Sequence, residues 1–251
     1  MHEFSANTLS ETLPRRMRLM RELSTGTRAG LWLSTPTPSH PSGKWASGEW
    51  QMLLLWRLGS TLGLPPTCVA CGACQDIYGD HALCCTSMGT YKRHNHIRDT
   101  LALQASAIGL QCRTEVELRG TGLVPADVFI PAMSDVPTAV DVSVVHPLQP
   151  SHHAQAAITT GAAAEARADG KVGMYAEKCR LRSWEYWAVV AETTGAWNQA
   201  GQRFMRRLAR ARALRLGELL TDALTAVWIS VCRALAHAVA RQLVRARQPI
   251  R

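Results

Sequence analysis

The hydrophobic period of this chain changes, and that change restricts the fold more than any other feature. Residues 92–110 carry Ile97, Leu101, Leu103 and Ile108 at helical spacing. Arg113 to Leu118, Val124 to Ile130 and Thr138 to Val145 then read as three strands, rich in valine and bounded by Gly or Pro. Residues 154–182 return to helix, weakened by Gly170 and Gly173. Glu185 to Ala191 reads as a fourth strand, and an arginine-rich helical tail fills 197–247. Helix, three strands, helix, strand, helix is an α/β arrangement, with helices on either side of a central mixed sheet.

The first third is helical and looped. Leu13, Met17, Met20 and Leu23 recur at helical spacing until Thr25-Gly26-Thr27 breaks the run. Pro36, Pro38, Pro41 and Gly43 mark residues 35–45 as a loop, and a helix is expected from Gly48 to about Leu62. A chain of 251 residues has room for one sizeable core, or one core with small appendages. The longest apolar run, Leu219 to Val239, is interrupted by Asp222, Arg233 and His237, so no membrane partner is expected.

Five of the eight cysteines crowd between Cys68 and Cys85, beside His81. Disulfide frameworks are spread more widely, and Met1-His2-Glu3-Phe4 does not open a signal peptide, so thiols in a reducing compartment are expected. Zinc takes four soft or borderline donors in a tetrahedron, and a C-x2-C step places two thiolates on one turn. That step occurs twice, as Cys68/Cys71 and Cys71/Cys74. Cys68, Cys71, His81 and Cys85 form the preferred quartet, with Cys74 in place of Cys68 as the alternative. Gly72, Gly79 and Asp80 supply turns.

The formal net charge of +9, almost all from arginine, suits an anionic partner. Against that background stand two acidic strands. Asp127 follows Pro125-Ala126 at one strand start, and Asp141 starts the next strand fourteen residues later. On adjacent strands both carboxylates could converge on one magnesium or manganese ion, which takes oxygen ligands, water and substrate phosphate. Glu115 is a further candidate ligand. Lys171 and Lys178, seven residues apart on one helix face, are candidates for stabilising charge on phosphorus. His94 and Arg98, at i and i+4, could clamp phosphate, or His94 could extend the metal site. Arg203, Arg206, Arg207 and Arg210, followed by Arg212 and Arg215, form a dense basic run suited to nucleic acid.

Several segments together carry a resemblance. They are Cys71-Gly72, Tyr78-Gly79-Asp80-His81-Ala82-Leu83-Cys84-Cys85, Arg93-His94-Asn95, Pro125-Ala126-Asp127-Val128 and Asp141-Val142-Ser143-Val144. The chain resembles the C-terminal region of non-long-terminal-repeat retrotransposons that carry a restriction-like endonuclease, from about residue 25 onward. Arg28-Ala29-Gly30-Leu31-Trp32-Leu33, Lys171, Tyr175, Cys179 and Thr194-Gly195-Ala196-Trp197 also look like that family. The resemblance implies a helical linker region over 1–64, a CCHC zinc knuckle over 65–90, a nuclease core of the PD-(D/E)-x-K superfamily over 91–200 and a basic helical extension over 201–251. It implies structural zinc on Cys68, Cys71, His81 and Cys85, and catalytic magnesium or manganese on Asp127 and Asp141. Serine stands at position 143, where the simple motif has lysine, and Lys171 of the following helix fits that role. Val124 stands where the family often has a basic residue.

The expected function is therefore metal-dependent nicking or hydrolysis of DNA in the nucleus. No Tyr-x-Asp-Asp motif is present in these 251 residues. A separate reverse transcriptase, or self-association, is accordingly an expected partner. The competing expectations are a non-catalytic module binding DNA or RNA, and a degenerate retroelement fragment.

Overall fold

A computed structural model describes residues 15–26, 28–33, 45–149, 151–156 and 158–248. The expected loop over 35–45 falls almost wholly outside these residues, as does Leu13 of the first helix. Helix α1 spans Arg15–Leu23 and α2 spans Ser47–Arg57. After a turn-rich stretch come α3, Asp80–Cys84, a 3₁₀ turn at Thr86–Met88, and α4, Thr90–Ser106. Strands β1 (Arg113–Leu118), β2 (Leu123–Ile130) and β3 (Thr138–Val145) follow. Then come α5 (His153–Ala156), α6 (Ala162–Arg180) and β4 (Glu185–Glu192). The chain closes with α7 (Gln199–Leu216) and α8 (Leu220–Arg247).

The four strands form one mixed sheet in the order β1-β2-β3-β4. The pairs β1/β2 and β2/β3 are antiparallel, while β3 and β4 run parallel over eight residue pairs with α6 as their crossover. Alternation divides the sheet residues between two layers. Ala188 and Val190 pack with Ala164 and Ala168 of α6. Val128, Ile130, Val140, Val142 and Val189 face the opposite way, into a core shared with Ile97 and Leu101 of α4, Phe204 and Met205 of α7 and Val227 to Leu243 of α8. This is the helix-covered α/β architecture that the pattern predicts.

The element boundaries differ from expectation in places with local causes. Helix α2 stops at Arg57 rather than about Leu62, because the chain turns back at Gly59 and the Ser60 N–H donates to the Leu55 carbonyl. The helix expected over 154–182 is two, separated at Gly161, which is left-handed. Gly170 and Gly173 do not break α6; both lie on its exposed side with no neighbour to crowd. The tail over 197–247 is also two helices, parted at left-handed Gly217.

The same core crosses the expected divisions at 64, 90 and 200. It contains Met20 and Trp56 from the N-terminal helices, Cys68, Leu83 and Cys85 from the cysteine segment, and most of the buried face of α8. Residues 201–251 are therefore not an appendage where they are described. Helix α8 is long and apolar enough to cross a membrane by length and composition, but 67% of its apolar window is buried by the rest of the chain.

Candidate metal and nucleic-acid sites

The cysteine segment is built around Asp76, which the sequence reading passed over. Its Oδ1 accepts the N–H groups of Tyr78 and Asp80 at 2.8 and 3.1 Å, and its Oδ2 accepts that of His81 at 2.7 Å. One carboxylate thus winds the turn into α3. Gly79 sits in that turn at φ +86°, where a Cβ would lie 2.7 Å from Leu243 Cδ2. The left-handed φ favours glycine here, and a side chain would also have to displace the tips of Leu243 and Leu62.

Cys68, Cys71, His81 and Cys85 consequently converge, with all four ligand atoms within 4.8 Å of one another. Cys68 Sγ lies 3.9 Å from Cys85 Sγ, and Cys71 Sγ lies 3.3 Å from His81 Nε2. Zinc with sulfur at about 2.3 Å in a tetrahedron sets ligands roughly 3.8 Å apart. This Cys3His group could hold a metal such as zinc. Cys74 is exposed and lies outside it. The backbone N–H of Ala73 is the main influence holding the Cys71 thiol below its ordinary range, whereas burial pushes Cys85 up.

A charged relay ties this segment to the sheet. Arg16 donates to both oxygens of Asp80 at 2.7 Å. Asp80 Oδ1 lies 3.1 Å from His146 Nε2, and His146 Nδ1 lies 2.7 Å from Thr193 Oγ1. Burial acts to raise the Asp80 carboxyl, but His146 and Arg16 hold it at about 2. Burial lowers His146 despite Asp80. Arg93 is wholly enclosed nearby, donating to the Leu83 carbonyl, the Gln242 side chain and the Val144 carbonyl at 3.1, 2.9 and 3.3 Å. It joins α3, α8 and β3, and burial lowers its guanidinium to about 10.

The second site lies where β2 and β3 part. Their ladder pairs Ile130, Phe129 and Val128 with Thr138, Ala139 and Val140, then ends. Continuing that register would set Asp127 opposite Asp141. Instead Asp127 Oδ2 accepts the Val142 N–H at 2.6 Å, a side chain standing in for the next rung. Both acids therefore sit within their strands, at a fork, rather than at the strand starts expected from sequence. The strands begin earlier because Leu123 pairs back on Leu118 of β1 and Thr138-Ala139-Val140 pairs with β4.

Each acid has its own partners. Asp127 Oδ1 lies 3.3 Å from His94 Nε2. His94, Glu115 and Asp127 offer ligand atoms that all lie within 4.8 Å of one another. Glu115 stands opposite Asp127 on β1 and holds φ at +53°, a left-handed conformation that is costly outside glycine. Asp141 is occupied differently: Lys171 Nζ donates to Oδ1 at 2.5 Å, and the Tyr186 hydroxyl donates to Oδ2 at 2.7 Å. Burial would raise Asp127, but His94 and the Val142 N–H bring it below its ordinary value. For Asp141 burial prevails over Lys171 and Tyr186, and its carboxyl is raised. Hydrogen bonding to Asp127 raises His94 against the effect of burial.

Of the other expected residues, Arg98 is bound to Asp99 and Glu115 at 2.7 and 2.5 Å, so it braces Glu115 in the free protein. Lys178 turns back to the Met174 carbonyl and does not join the fork. Arg203, Arg206 and Arg210 are exposed along one side of α7, whereas Arg207 leans onto Trp187 and pairs with Glu185 at 2.6 Å. Tyr186 is a site residue the sequence reading missed. Strand alternation puts it on the face of Ala188, but only the parallel register with β3 brings that face to Asp141. Beside Lys171, a cavity of about 330 Å³ is lined by His152, Arg167, Met174 and Tyr175.

No protein-family model matches this chain, and no curated protein matches it.

Proposed function

We propose that this chain is a divalent-metal-dependent DNA endonuclease with a restriction-like core, derived from a retrotransposon, whose Cys3His group holds structural zinc. The fork at Asp127 and Asp141 carries the reading. Two neighbouring buried acids, Asp127 held by His94 and the Val142 N–H and Asp141 held by Lys171 and Tyr186, divide metal binding from charge stabilisation. The motif resemblance supports the same assignment.

In this reading Asp127, Glu115 and His94 hold the divalent cation. An imidazole beside two carboxylates suits manganese at least as well as magnesium. The cation would lower the pKa of a bound water and offset charge on the phosphate. Asp141 holds Lys171 in place, and Tyr186 fixes Asp141 from its other side. Lys171 stabilises the negative charge that grows on the phosphoryl oxygens. Arg167, next to Lys171 and within reach of Ser143 at 3.4 Å, lines the way in for the backbone.

The test is nicking of supercoiled plasmid with manganese by wild type, Asp141→Asn and Lys171→Met. Nicking by wild type that both variants lose supports the reading; nicking retained by both removes these residues from the mechanism. The exposed stripe of Arg203, Arg206 and Arg210 favours a second reading, nucleic-acid binding without cleavage. A wild type that binds DNA in a strongly salt-dependent manner yet never nicks it moves that reading to first place.

A further inference from the structure

Across α4 from the fork is a second cationic site. The N-terminal turn of α4 and the last turns of α8 enclose a cavity of about 250 Å³. Its walls carry Lys92, Arg93, His96, Arg241 and Arg245, and no acidic residue lines it. Arg241 Nε is engaged by Glu49 at 3.1 Å outside the cavity. Lys92 and Arg245 are exposed at its mouth, and no carboxylate pairs with either of them among the described residues. Lys92, Arg93 and Arg245, drawn together without an acid, repel one another unless an anion joins them.

The backbone adds to this. Helix α4 is preceded by Gly89, left-handed at φ +84° and without a side chain over the helix end, and no side chain caps it. Its first N–H groups carry partial positive charge. A Cβ on Gly89 would lie 3.2 Å from Arg245 Nη1, so the bare residue 89 leaves the arginine room beside the helix end. Fixed donors, a guanidinium and an ammonium around a small hollow suit the tetrahedral oxygens of phosphate.

We propose that this cavity binds a backbone phosphate of the nucleic acid whose scissile bond lies at the fork. This deepens the endonuclease reading and rests on it for the source of the phosphate. Lys92 and His96 lie on the opposite side of α4 from His94, since residues two apart on a helix are separated by about 200°. One helix diameter, roughly 10–12 Å, therefore separates the two sites, about three nucleotides' rise along a strand. A strand crossing the N-terminal turn of α4 would meet Asp127 on one side and Arg245 on the other. The cavity would fix how far from this contact the chain is cut.

The test uses the full chain, with binding of a labelled DNA duplex measured by anisotropy across a salt series without divalent cation. Lys92→Ala combined with Arg245→Ala is compared with wild type and with Arg119→Ala combined with Arg180→Ala, which removes equal charge elsewhere. The cavity variant is expected to bind at least tenfold more weakly. Its slope of log affinity against log salt should be shallower by about 1 to 2, from one or two lost phosphate contacts at roughly 0.9 each. An unchanged slope overturns the proposal. So does a variant that loses stabilisation by inorganic phosphate in thermal unfolding yet keeps wild-type DNA affinity, which would assign the cavity to a free phosphate. A wild type that never nicks, with the slope still reduced in the variant, removes the nuclease and leaves the cavity standing. Nicking by wild type with no change of slope does the reverse.

Discussion

Glu115 joins backbone strain to the proposed chemistry. Its left-handed φ of +53° brings its carboxylate to His94 and Asp127, and Arg98 secures it there at 2.5 Å. A non-glycine residue in this region costs on the order of 1–3 kcal/mol, retained where the surroundings require it. Glu115→Gly relieves that strain while removing the ligand. Urea unfolding without divalent cation should therefore show Glu115→Gly more stable than wild type by up to about 1 kcal/mol, after glycine's unfolded-state entropy is subtracted. Manganese affinity, followed by calorimetry, should fall at least about tenfold. A variant that is less stable and binds manganese normally would make Glu115 an ordinary surface residue. Lys171 makes the complementary prediction. Lys171→Met should lower the nicking rate by about 10²–10³, the usual cost of removing one preorganised charge stabiliser, with DNA affinity nearly unchanged. A fall in affinity without a fall in the rate of bound complex would make Lys171 a binding contact only.

Among the elements, the cysteine segment is more deeply joined to the rest than a knuckle on a linker would be. Leu83 and Cys85 enter the main core, Arg93 binds the Leu83 carbonyl, and Gly79 lies against Leu243. Metal removal should therefore unfold more than residues 65–90. Isolated zinc fingers draw roughly 10–16 kcal/mol from their metal, comparable with a whole domain's stability. Cys85→Ser is expected to lose stoichiometric zinc and to shift the urea transition of far-ultraviolet ellipticity across the entire helical signal. A transition unchanged outside the near-ultraviolet region would make the segment independent. The relay from Arg16 to Thr193 predicts the acid side. Burial holds His146 below its ordinary value in the folded chain, so the unfolded chain binds its proton first as pH falls. Stability is complete above about pH 6.5 and declines below it, by at most about 1.4 kcal/mol per pH unit from this residue. The stability gap between wild type and His146→Gln should narrow as pH falls from 7 to 5.5. A constant gap would mean that His146 titrates alike in both states.

These same elements show what a sequence conveys. The strands were readable nearly to the residue, because valine runs bounded by glycine and proline are a local signal. The convergence of Cys68, Cys71 and His81 was readable because two close spacings define it. The approach of Asp127 to Asp141 was expected from adjacent strands, but the partners at the fork were not, since the Val142 N–H reaches Asp127 only through the β2/β3 register and Tyr186 reaches Asp141 only through the β3/β4 register. Register is a long-range property that side-chain pattern states weakly when both faces of a strand are buried.

For the molecule as a whole, the C-terminal helices are where composition misled most. The arginines of residues 201–215 suggest a basic appendage, and four of them do face solvent on α7. Helix α8 behaves otherwise. Its Val227, Trp228, Val231, Leu235, Val239 and Leu243 are all at most 3% exposed, and it packs against α2, α3, α4 and α7. The many alanines between them, Ala234, Ala236, Ala238 and Ala240, are buried too, which lets neighbouring helices approach on several sides. Truncating a single buried Leu or Trp costs about 2–5 kcal/mol, so losing the whole helix exceeds the stability of an ordinary domain. A chain cut after residue 219 should fail to fold, with loss of near-ultraviolet ellipticity and of zinc, since Gly79, Leu83 and Arg93 lose their partners on α8 together. Trp228→Ala provides the graded version. It should lower the unfolding free energy by about 3–5 kcal/mol and release Arg28, which stacks on that ring at 4.3 Å. A truncated chain that stays folded and zinc-bound would return residues 220–247 to the status of an extension and separate the sheet and its remaining helices from them.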